Sequence, residues 1–192
     1  GDSPYATPFQ LWQTKLGLLP DKKKNWAIEK GHRKEKEALV YLQEHFQCAL
    51  KPKVILNSDL DWHFSSLDMA SDDNKIVVEV KWTTQENHEM AKQGMVPPVF
   101  KAQLMHQMED LQLDEMWYFS INSNNFKLVH TQRDDEYMKK LLDKEKEFYR
   151  CYVESEEPKF IEERDFISME GNKEWETIVN QYMEAKHSRL NW

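Results

Sequence analysis

Asp68, Glu79 and Lys81 are the residues whose types and spacing could do chemistry together. Ser66-Leu67-Asp68 is followed by ten residues and then by Glu79-Val80-Lys81. Read as two strands joined by the turn Ser71-Asp72-Asp73-Asn74, the stretch brings Asp68, Glu79 and Lys81 to adjacent strand ends. Side chains alternate along a strand, so Glu79 and Lys81 share one face, and Ile76, Val78 and Val80 form the dry one. Clustered carboxylate oxygens suit a hard divalent cation, and a nearby ammonium can orient a water or steady developing charge. The set fits a metal-dependent phosphodiesterase. Each residue also has a plainer reading: a turn acid for Asp68, and a weak same-face surface pair for Glu79 and Lys81.

The surrounding pattern supplies elements to hold these groups. Thr7-Pro8 starts a short helix ending at Gly17, and Asn25 can cap a long helix reaching about Gln47. The apolar stripe of that second helix runs through Ile28, Gly31, Leu39, Leu42 and Phe46, and the place missing from it holds Glu35. An acid on an inward stripe is costly unless something compensates it. Strands are expected over 53–57, 62–68, 75–82, 115–121 and 126–132. Residues 84–97, polar and ending in Pro97-Pro98, read as a mobile loop beside the acids. Helices follow over 99–111, which carries Gln103 and Gln107, and over 134–152. After Gly171 comes an amphipathic helix whose stripe, Trp175 to Met183, is more often core than partner surface. This order predicts an α/β (α+β) fold with a mixed sheet flanked by helices.

With 192 residues and 40% hydrophobic content, the chain fits one domain with one core. No apolar run approaches the ~20 residues of a membrane span, so no membrane partner is expected. Cys48 and Cys151 lie far apart in no metal-binding spacing, which suits a reducing cytoplasm. The net charge of −8 hides an uneven distribution: residues 1–60 carry ten Lys/Arg against seven Asp/Glu. Such a basic region can steer a polyanion even on an acidic body, although a charge run is more often a solvated helix face.

Four stretches together resemble a known family. Gly31-His32-Arg33-Lys34-Glu35, Ser66-Leu67-Asp68, Glu79-Val80-Lys81 and Gln103 to Met108 are similar, in order, to the G-x-x-x-E, S-P-D-G, E-x-K and Q-x-Q-x-M signatures of YqaJ-type viral recombinase nucleases. These include the lambda-type exonucleases and belong to the PD-(D/E)XK superfamily. Thr7 to Leu18 and Trp117-Tyr118-Phe119 also resemble that family, and the likeness spans about residues 7–158. Leu67 and Met69 stand where the family has Pro and Gly.

The resemblance implies a restriction-endonuclease-like core in a single nuclease domain over 1–192, with a helical extension over 159–192. It implies Mg²⁺, replaceable by Mn²⁺, as two ions on Asp68, Glu79, the backbone carbonyl of Val80 and Glu35. Lys81 would activate the water, and Gln103 and Ser66 would bind a terminal phosphate. Lys15 falls where the family commonly has Arg, and loses that residue's bidentate fork. Arg33 and Lys34 would add phosphate contacts. Kinship further implies 5′→3′ digestion of linear double-stranded DNA ends in phage-type recombination, a homo-oligomeric ring (possibly a trimer), a single-strand annealing partner and a bacterial or phage-infected cytoplasm. Two other readings are a restriction-like or structure-specific endonuclease of the same fold, and a non-catalytic DNA-binding or assembly module.

Overall fold

The computed structural model describes residues 4–19 and 26–190. Lys22, Lys23, Lys24 and the expected helix cap Asn25 lie outside the described residues, as does the side chain of Ile28. The elements in chain order are α1 (Pro8–Lys15), α2 (Trp26–Phe46), β1 (Lys51–Leu56), β2 (Phe64–Ala70), β3 (Val77–Trp82), α3 (Gln85–Lys92), α4 (Pro98–Leu111), β4 (Glu115–Asn122), β5 (Asn125–Gln132), α5 (Asp135–Glu154), α6 (Glu162–Asp165) and α7 (Lys173–Leu190).

The five strands form one sheet in the order β1-β2-β3-β4-β5. Only β3 and β4 pair in parallel, and the other three pairings are antiparallel. A parallel pair needs a long crossover, supplied here by α3 and α4. The sheet is therefore mixed and flanked by helices, as the sequence pattern predicts.

Each face of the sheet carries a buried layer. On one side Leu67, Ala70, Val77, Met116 and Tyr118 pack against Leu104, Met105 and Met108 of α4, Ala91 of α3 and Met138 of α5. On the other, Met69, Val78, Val80, Phe119 and Ile121 pack against Ala38 and Leu42 of α2. Neighbouring strand residues thus belong to opposite layers, as period-two alternation requires. Outside these layers, α1 is started by a capping box, in which Thr7 accepts from the Gln10 amide and Gln10 answers to Thr7. It docks on α5 through Trp12, whose indole donates to the Cys151 carbonyl at 3.2 Å.

Two expectations fail. Residues 84–97 are not a loop throughout, because α3 occupies their first half. Thr84 caps it by accepting from the Asn87 amide, and only His88 and Ala91 turn inward, too few to leave an apolar period in the sequence. The stripe of α7 is not core: Trp175, Ile178 and Tyr182 are 46, 52 and 64% exposed.

Candidate active site

The site forms where β2 and β3 part. Backbone pairing between them covers only Met69↔Val78 and Ala70↔Val77. The next pair would set Asp68 against Glu79, but there the Asp68 carboxylate accepts the Val80 amide at 2.9 Å. A side chain takes the place of a ladder bond, and the strands splay beyond it.

The other edge of β2 aims that carboxylate. The β1–β2 register shifts between Lys53↔Leu67 and Lys51↔Ala70, so Asp68 and Met69 together face Pro52 as a β-bulge. Bulges re-aim side chains and cluster beside functional sites. Leu67 and Met69 pin this one to opposite core layers. Neither Asp68 nor Met69 takes a positive φ, so the backbone here does not require glycine.

Glu79 sits under α4 and is 1% exposed. One of its oxygens accepts Gln103 Nε2 at 2.6 Å and pairs with the Lys81 ammonium, and the other accepts Gln107 Nε2 at 2.7 Å. Gln107 also donates to the Ser66 carbonyl at 3.2 Å, tying β2 to β3 across the splay. Glu35 approaches from α2. It bonds His32 at 3.3 Å and is close enough to act electrostatically on both Asp68 and Lys81. Burial, and then the Glu79 charge, push the Asp68 carboxyl up to about 7. Burial works against the Lys81 ammonium, yet Glu79 and the other acids outweigh it and raise its value.

The structure therefore brings together Glu35, Asp68, Glu79, Val80, Lys81 and Gln103. Ser66 neighbours them through its carbonyl, while its side chain is exposed. Arg33 is exposed on α2, and Lys34 is paired with Glu37. Lys15 is exposed in the last turn of α1, the helix that packs on α5. Gln107, which the sequence reading places in the glutamine motif without a role of its own, is 2% exposed and holds Glu79. The clue was its one-turn spacing from Gln103.

The donors are hard oxygens, and three carboxylates share one ammonium. A divalent cation is the counter-charge that would relieve the Asp68–Glu79 repulsion, so the residues fit one.

No protein-family model matches the sequence, and no curated protein matches it. Solved structures do. The alkaline exonuclease LHK-Exo of Laribacter hongkongensis superposes with TM-score 0.63 at 16% identity, covering 94% of this chain and 82% of that one. LHK-Exo in complex with dAMP gives 0.65 at 16% identity, over 79% and 83%. A phage-related exonuclease from Haemophilus somnus 129PT gives 0.55 at 15%, over 76% and 80%. The chain has the fold these exonucleases share. At such identity the likeness speaks for the backbone alone, and the chemistry must be argued from the side chains at the splay. No helix among the described residues is long and apolar enough to cross a membrane.

Proposed function

We propose that this chain is a Mg²⁺-dependent DNA exonuclease acting 5′→3′ on linear double-stranded ends in phage-type recombination. The observation that carries this reading is the grouping of Glu35, Asp68, Glu79 and Lys81 at one parting of strands, in a fold known from exonucleases.

Asp68, Glu79, Glu35 and the Val80 carbonyl would hold one or two Mg²⁺ ions, with Mn²⁺ as a substitute. Bound there, the ions would polarise the scissile phosphate and make water a stronger nucleophile. Lys81, held by Glu79, orients that water. Gln103, bonded to Glu79, has a second amide hydrogen to offer a terminal phosphate. Ser66 offers its exposed hydroxyl to the same group, and Lys15, Arg33 and Lys34 add phosphate-backbone contacts whose strength falls with salt. The dAMP complex of LHK-Exo supports a site sized for one deoxynucleotide. We further propose a homo-oligomeric ring around the duplex and an annealing protein as partner.

Duplexes labelled at the 5′ or 3′ end, with and without terminal phosphate, test the reading. Wild type should release the 5′ label as mononucleotide, faster from phosphorylated ends. Asp68→Ala and Lys81→Ala should each lose at least about 10²-fold in turnover, the scale of one positioned proton-transfer group. Cutting of covalently closed circles would point instead to an endonuclease. Full activity of Asp68→Ala would remove the assignment.

A further inference from the structure

A second buried group of ionisable side chains lies further along the β2–α4 interface. His63, in the loop just before β2, turns Nδ1 to Asp110 of α4 and Nε2 to Glu145 of α5, the latter at 3.0 Å. His106 of α4 stacks on it, with ring centroids 3.9 Å apart. Its Nδ1 lies 2.7 Å from Glu145, and its Nε2 lies 3.0 Å from the Phe64 carbonyl and 3.5 Å from Asp110. Ser65 of β2 donates to the second Asp110 oxygen, and the Trp62 ring meets His63 edge-on at 5.2 Å.

The donor atoms of His63, His106 and Asp110 lie within 4.8 Å of one another, a spacing a metal could use. Hydrogen-bond accounting argues otherwise. A carbonyl oxygen only accepts, so His106 Nε2 facing Phe64 must carry a proton. The three other ring nitrogens face ionisable carboxylates, which also accept. Four ring nitrogens matched to oxygen acceptors describe two imidazolium rings between two carboxylates, with no lone pair left for a metal.

The position of the cluster gives it a consequence. Ahead of Met69, β2 has no β3 partner, and two of its carbonyls are taken by consecutive residues of α4. His106 takes that of Phe64, and Gln107 takes that of Ser66. The same Gln107 amide holds Glu79. Along the splay, α4 has replaced β3 as the partner of β2.

We propose that His63 and His106 form a protonated latch which, through Asp110 and Glu145, sets α4 against β2 so that Gln103 and Gln107 hold Glu79 in place. Its effect on turnover rests on the nuclease reading above; its protonation does not. Burial alone would lower both histidines, but Asp110 and Glu145 raise His63 to about 9, and Glu145 and the Phe64 carbonyl raise His106 against the opposing charge of His63. Burial works against the ionised acids as well, yet the histidines lower both Asp110 and Glu145.

Glu145→Gln keeps the shape of the latch and removes one charge. The alkaline limb of wild-type kcat should move down by at least one pH unit in this variant, with KM within twofold and activity at pH 6 within threefold. Asp110→Asn should act in the same direction, whereas a merely structural role would lower activity evenly across pH. Ring-nitrogen NMR at pH 7.5 should find both imidazoles doubly protonated in wild type. The Gln103 and Gln107 side-chain amide signals should move with the histidine midpoint, a readout that stands even if the chain digests no DNA. An unshifted alkaline limb, a neutral ring at pH 7.5, or binding of one Zn²⁺ that His63→Gln abolishes would each overturn the latch.

Discussion

Asp68 is the residue whose environment differs most from what its type would choose. It is largely buried, faces Glu79 and Glu35, and has one backbone amide and one distant ammonium in compensation. Its carboxyl holds its proton up to about 7 in the fold, against 3.8 ordinarily. A raised acid value adds stability that is fully present below the ordinary value and is lost as pH rises through the folded one. The metal-free chain should therefore lose on the order of 3 kcal/mol from this residue between pH 4 and 8. Asp68→Asn should be the more stable protein at pH 8 without metal and equal to wild type at pH 4, as thermal melts at both pH values would read. Added Mg²⁺ should stabilise wild type at pH 8 and leave Asp68→Asn unmoved. The opposite order of stabilities would show that Asp68 carries no such strain.

At the scale of elements, the site depends on a bulge and a departure of strands. Met69 buries its side chain between β2 and α2 and so fixes the bulge that aims Asp68. Met69→Ala should cost about 2–5 kcal/mol by the usual price of a buried cavity. Because Asp68 shares the bulge, it should also lower turnover more than Val129→Ala, a buried residue of β5 away from the bulge, at matched stability. Equal activities would mean that the bulge does not position the acid. These features also set the limits of sequence reading. The Thr7-Pro8 helix start and the alternation that sets Val78 and Val80 opposite Glu79 and Lys81 are local, and they were legible. The bulge was not, because it depends on the register of β1 against β2. Helix α3 was hidden because only His88 and Ala91 face inward.

At the scale of the molecule, exposed apolar side chains are what an assembly would cover. The exposed stripe of α7 and the exposed Val54, Leu56 and Phe64 of β1 and β2 leave apolar surface on the chain. If the proposed ring is a trimer, light scattering at micromolar concentration should return three times the 23.1 kDa chain mass, together with digestion that stays on one duplex for many steps. A monomer at all concentrations would remove the ring while leaving end-directed hydrolysis to stand.

The sequence by itself determined the mixed helix-flanked fold, and it singled out Glu35, Asp68, Glu79, Lys81 and Gln103. Strand and helix periods are written into neighbouring residues, and an acid on an apolar stripe stands out within its own helix. Only the tertiary structure decided that Asp68 bonds the Val80 amide, that Gln107 spans from Ser66 to Glu79, and that His63 meets Glu145. His63 and Glu145 lie 82 positions apart along the chain. Such contacts depend on strand register and on which helix covers the splay, and no local spacing encodes either.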